Sequence, residues 1–316
     1  VGNSFGCYDN MKYFIMHHQH KGKPIDKALR ETGWRYQLRN VDIALFDHAI
    51  NRTEPEAGRN IIHKFHKEGA TIVIYPHSPT GAWWMDGDLF PKEGAVQNEL
   101  VIAEGQERVS KIINPDMHVH KIGWSYCPIR EFKKPARLKR ILFAPIHGPI
   151  KGHFREEAVE ANKRIYSTLL KLTDEYQIVV RHINSLERCG LWYSPKPIFV
   201  LGKPDGSYKD IDAADLVIAE GTFMYLAVAR GKPTIGINQH VPIRPNNNHK
   251  DFVPKHWNEY GEYMAYPIDF DDGDIISLID KAMEEQSSWK NLFIGKPMDS
   301  KNLSNLLQNV RGSDAR

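Results

Sequence analysis

The chain has 316 residues, room for two domains of ordinary size, with 41% hydrophobic residues, 26% charged residues and a formal net charge of +3. No apolar run reaches the roughly 18 residues that a membrane-crossing helix needs, and so small a charge does not by itself argue for nucleic acid. Cys7, Cys127 and Cys189 lie far apart, which argues against a disulfide framework or a Cys-rich zinc site and fits a reducing, cytoplasmic location. The start lacks the basic and apolar regions of a secretion signal.

Residues 1–10 are unpatterned and read as an extension. Short apolar runs then alternate with amphipathic ones, the pattern of α/β architecture with parallel sheets. Strands are expected at Lys12–Met16, Asp42–Phe46, Thr71–Tyr75, Glu99–Ala103 and His118–Gly123. Helices are expected at Pro24–Thr32, closed by Gly33, at Glu56–Glu68, closed by Gly69, and at Gln106–Ile113. These make a first domain over 11–130. The Pro- and cation-rich stretch around 131–140 reads as a linker. Its run of Lys133, Lys134, Arg137, Lys139 and Arg140 is read as a solvated face.

The pattern restarts with strands at Ile141–Ala144, Gln177–Arg181, Ile198–Leu201 and Leu216–Ala219, and a long helix over Glu156–Tyr176. A second domain over 141–285 follows. Residues 286–316 form a tail whose amphipathic stretch, Asn302–Val310, is expected to pack back on the first domain.

Ile211–Ile237 is the most informative segment. It reads as strand, tight turn, short helix, tight turn and strand. Leu216–Ala219 suits a strand buried on both faces. Glu220-Gly221-Thr222 form the first turn, Phe223–Ala229 carry a helical pattern, and Gly231 with Pro233 ends the helix. A helix start just beyond a strand's carboxyl end offers free N–H groups and a positive dipole end, a setting that suits phosphate. Gly221 and Thr222 are therefore expected to donate to phosphate.

The other strand-end loops carry further candidates. After the third strand, His77 and Ser78 precede Trp83, Trp84 and Asp86; indole faces stack on sugar rings or bases, and polar neighbours read hydroxyls. His18 and His20 follow the first strand. His147 and Gly148 follow Ile141–Ala144, Arg181 and His182 end the next strand, and Asn238 follows Thr234–Ile237. Each has a plain structural reading beside the functional one: a packing loop, a partly solvated histidine, an ion-paired arginine. Three convergent metal ligands with outer support are not demonstrated by the sequence, so no metal is expected.

The order Ala214-Asp-Leu-Val-Ile218, Glu220-Gly-Thr222 and Gly231-Lys-Pro-Thr-Ile-Gly-Ile237 resembles the donor-binding half of GT-B-type, nucleotide-sugar-dependent glycosyltransferases. His77-Ser-Pro-Thr80 and Arg181-His182 more weakly resemble loops of CDP-glycerol glycerophosphotransferase-like enzymes, where the first supplies a catalytic histidine. The resemblance implies two Rossmann-like domains facing a cleft, with a nucleotide-diphosphate sugar as co-substrate, no obligatory cofactor and a hydroxyl acceptor of unspecified type. It implies donor contacts from His147, Gly148, Arg181, His182, Glu220, Gly221, Thr222 and Asn238, and acceptor contacts from Trp83, Trp84 and Ser78. The general base would be His77, with Asp86, His18 and His20 as rivals. In the helix after the Glu220 turn, many UDP-sugar enzymes hold ribose with a carboxylate; this chain has Tyr225-Leu226. A nucleotide-sugar 2-epimerase and a nucleic-acid-directed transferase or binding protein are the alternative readings, and the oligomeric state stays open.

Overall fold

The structure, a computed structural model, describes residues 13–16, 42–47, 62–75, 98–113, 115–124, 127–146, 154–182, 191, 195–202, 207–237, 264–265, 272–284, 289–299, 303, 305–307 and 309–310. The chain divides into two compact units, Val1–Tyr126 with Asn291–Arg316, and Cys127–Lys290. Each is built on a parallel sheet.

The first sheet contains β1 (Tyr13–Met16), β2 (Ile43–Asp47), β3 (Thr71–Tyr75), β4 (Asn98–Val101) and β5 (His118–Lys121), paired in that order. Every pairing is parallel. Parallel strands need both faces covered, and the side-chain period of two divides β2 and β3 accordingly. Phe46 packs against Phe65 of the helical segment 62–67, with ring centroids 6.3 Å apart. Ile43, Leu45, Val73 and Leu100 point the other way and pack with Leu303, Leu307 and Val310. Right-handed crossovers that always step in one direction place their connections on one face; here the other face is covered by residues from the chain's C-terminal segment.

Several boundaries differ from expectation by a residue or more, the long helix ending at Lys171 and not Tyr176, and two differ for local reasons. Strand β4 ends at Val101 because the Ile102 N–H donates to the Gln106 side chain (2.6 Å), and the helix starts at Glu104. Strand β5 ends before Gly123, whose φ is +83°. Trp124 instead exchanges backbone bonds with 296–298: its N–H donates to Lys296 O (2.8 Å), and Met298 N–H to Trp124 O (3.0 Å).

The second sheet comprises β6 (Arg140–Phe143), β7 (Gln177–His182), β8 (Ile198–Leu201), β9 (Leu216–Ala219), β10 (Thr234–Ile237) and β11 (Met264–Ala265), in the order β11-β10-β9-β6-β7-β8. All its pairings are parallel. Strands β9 and β10 are buried along their whole length, as their unbroken apolar runs require. Ile141, Phe143, Leu216, Ile218, Ile235 and Ile237 form one core with Ile165, Tyr166 and Leu169 of the Phe154–Lys171 helix and Ile275 and Ile279 of the Asp272–Ala282 helix. Each such side chain contributes about 1.5–3 kcal/mol by leaving water. The stretch read as a linker is pinned to this unit: Arg130 N–H donates to Ala229 O (2.8 Å) and Lys133 N–H to Gly231 O (3.0 Å).

Candidate functional site

Numbered in chain order from β6, the second sheet has the strand order 3-2-1-4-5-6. The chain winds outward through β7 and β8, returns to the far side of β6, and continues through β9, β10 and β11. Between β6 and β9 the winding reverses, and ligands of such sheets bind beyond the carboxyl ends of the strands at that reversal. Phe143 lies opposite Ile218, and the Ala144 N–H donates to Ile218 O (2.9 Å). Residues 144–146 and the Glu220–Gly221 turn therefore leave the sheet on the two sides of the reversal.

The Gly221–Ala229 helix starts immediately after β9. Glu220 is its N-cap, extended at φ −114° and ψ 166°, with no side-chain cap hydrogen bond. Gly221 has φ +53°, a left-handed conformation that costs other residues about 1–2 kcal/mol. The first intrahelical bond runs from Met224 N–H to Glu220 O (3.3 Å), so the N–H groups of 221–223 have no acceptor inside the helix. The helix is otherwise sunk into the unit: Met224, Tyr225, Ala227, Val228 and Ala229 are buried, while Gly221, Phe223 and Leu226 are half-buried. Tyr225, at a position compared above with a ribose-binding carboxylate, is wholly inside. At the far end, Gly231 N–H bonds Val228 O (3.0 Å) and Lys232 N–H bonds Ala227 O (3.1 Å), with Gly231 at φ +70°. This closing motif is the one that Gly231 and Pro233 foretell.

Arg181 is ion-paired, the plain structural reading given above, but inside the unit and not on its surface. Its side chain is 3% exposed, and Nε donates to Asp210 Oδ2 (2.9 Å). Nη2 donates to Ser207 Oγ (2.9 Å), and the guanidinium carbon lies 4.7 Å from the centroid of the Phe223 ring. Ser207 and Asp210 belong to the Ser207–Ala213 helix. The guanidinium is thus held inside the unit, against the first turn of the Gly221–Ala229 helix. His182 is the last residue of β7 and is half-buried.

Sequence reasoning passed over Asn162. It is fully buried in the Phe154–Lys171 helix, and its carboxamide makes two bonds to one residue. Ile146 N–H donates to Oδ1 (2.7 Å), and Nδ2 donates to Ile146 O (3.0 Å). No local signal marks it, since a lone Asn in an amphipathic helix reads as surface.

The remaining candidates, His18, His20, His77, Ser78, Trp83, Trp84, Asp86, His147, Gly148 and Asn238, lie outside the described residues, as does the side chain of Thr222. Among the described residues no group of three His, Cys, Asp or Glu side chains is placed to hold a metal ion. Among them, too, no helix is long and apolar enough to cross a membrane.

No family model and no curated sequence matches the chain. Solved structures do. The GtfA/B complex superposes with a TM-score of 0.50 at 14% identity, over 90% of this chain and 60% of that one. The glycosyltransferase VinC, in complex with DTDP, gives 0.49 at 12% identity over 90% and 75%. MurG of Acinetobacter baumannii gives 0.48 at 14% over 90% and 78%. These are GT-B glycosyltransferases, and similarity at such identity is similarity of fold. The chain, with its two parallel sheets, is α/β, the fold it shares with the GtfA/B complex.

Proposed function

We propose that the protein is a glycosyltransferase of the GT-B type, moving a sugar or glycerophosphate-like group from a nucleotide-diphosphate donor to an acceptor hydroxyl. One observation carries the reading: a helix start with a left-handed glycine, Gly221, stands at the winding reversal of the second sheet. The N–H groups of Gly221 and Thr222 and the positive helix end bind the donor's diphosphate. Glu220 would repel phosphate, so its carboxylate accepts a hydroxyl of the donor's sugar or ribose. His147, Gly148, His182 and Asn238 complete the donor site from the neighbouring strand ends.

With a sugar donor, the acceptor oxygen attacks the anomeric carbon and its proton passes to a base. The bond from that carbon to the phosphate oxygen breaks, and the diphosphate leaves with the electron pair. His77 is the proposed base, with Asp86, His18 or His20 in that role otherwise. Trp83, Trp84 and Ser78 hold the acceptor. The growing charge on the leaving diphosphate is met by the helix start, the arrangement that preorganised donors exploit, and the scheme requires no metal.

Thermal unfolding with UDP, GDP, CDP, dTDP and ADP tests the reading. Selective stabilisation by one of them is expected, about 2.7 kcal/mol at about 100 times its Kd. A folded protein that none of the five stabilises would refute the donor site.

A further inference from the structure

The ladder between β6 and β9 ends with the bond from Ala144 N–H to Ile218 O. Pro145 follows and has no N–H to offer. Ile146, 1% exposed, lies past the last pairing of β6 with the described strands, with its backbone groups buried. Buried backbone groups need partners, and the Asn162 carboxamide supplies both at once, at 2.7 and 3.0 Å. The planar amide pairs with Ile146 much as a neighbouring strand would. It thereby fixes the direction in which the chain leaves β6, across the winding reversal from Gly221. A carboxamide meets this need because it holds one acceptor and one donor side by side.

The geometry points to Asn162 as a positioning residue for the nucleotide-diphosphate site: by clamping Ile146 it fixes how residues 144–146 leave β6 beside the winding reversal that Gly221 flanks. The inference rests on the donor-site reading above. It differs from a purely stabilising role, because loss of the clamp loosens the site even while the unit stays folded.

The test uses the full chain and whichever of the five diphosphates stabilises it, with affinity measured by calorimetry well below the unfolding midpoint. Asn162→Leu, with circular dichroism unchanged, should bind that diphosphate roughly tenfold more weakly, the factor equivalent to one lost positioning contact. The donor KM should rise while the acceptor KM holds. Asn162→Asp provides a second readout that does not depend on Asn162→Leu folding. Its carboxylate faces the Ile146 carbonyl at neutral pH and binding should be weak. Once protonated, the acid regains the donor-plus-acceptor pattern, and affinity should recover as pH falls, relative to the wild type at each pH. Wild-type affinity in either folded variant, with no pH-dependent recovery in Asn162→Asp, overturns the inference while leaving the donor site standing. A wild type that binds none of the diphosphates removes the donor site and this inference with it.

Discussion

Arg181 and Gly202 share one space: a Cβ on residue 202 would lie 2.6 Å from the guanidinium carbon of Arg181 and 2.7 Å from its Nη1. The guanidinium is fixed by Asp210 and Ser207 and has no free end to swing aside. Gly202→Ala should therefore lower stability by about 1–3 kcal/mol, the usual penalty of overpacking. Calorimetric unfolding checks this, and an unchanged midpoint would show that the arginine can relocate at little cost.

Gly221 presents the opposite case. No described atom lies within 4 Å of a Cβ placed there, so only the backbone, at φ +53°, penalises a side chain. Gly221→Ala should cost about 1–2 kcal/mol, and diphosphate affinity should drop as the turn relaxes. Gly221→Asn, which tolerates left-handed geometry better, should fall between Ala and the wild type. Equal behaviour of Ala and Gly in both measurements would mean that the turn does not depend on this conformation.

His120 gives the first unit a pH dependence. Burial, then the nearby His118 and Lys111, hold its imidazole below the ordinary 6.5, and Nε2 lies 3.4 Å from Asn98 Oδ1. The folded state thus resists protonation more than the unfolded chain does. Stability should be full above the unfolded value and decline as pH falls below about 6.5. Unfolding midpoints from about pH 8 to about pH 5 should fall less steeply in His120→Gln. Parallel slopes for the two proteins would rule out this histidine as the source.

Leu307, 6% exposed, packs against Ile43, Leu45, Val73 and Leu100. Leu307→Ala should destabilise the first unit by about 2–5 kcal/mol. Hydrogen exchange should quicken at the amides of β2 and β3 and stay unchanged in β9 and β10. A uniform response across both sheets would contradict two separately cored units.

The strands were largely legible because buried parallel strands are short, unbroken apolar runs, and Leu216–Ala219 and Thr234–Ile237 are flanked by turn residues that allow no other reading. The Ser207–Ala213 helix was not, since its only buried residue is Ile211 and one anchor makes no period. β11, two residues long, is too short to leave a pattern. At the site, the Glu220 turn could be read from local chemistry, whereas the burial of Arg181 and of Asn162 could not. In a sheet covered on both faces, position near a strand's end does not say whether a side chain meets solvent or core. What Asn162 bonds depends on where Ile146 is delivered by the rest of the fold.

The cover that Leu303, Leu307 and Val310 give to the first sheet also imposes an order in time. The stretch from Cys127 to Lys290 is uninterrupted, so a ribosome releases everything that unit needs before Leu303, Leu307 and Val310 are made. The sheet begun by Tyr13 has to wait, with Ile43, Leu45 and Val73 lacking their partners until residue 310 has emerged. Of the two units, the one whose synthesis starts earlier is thus the one completed later.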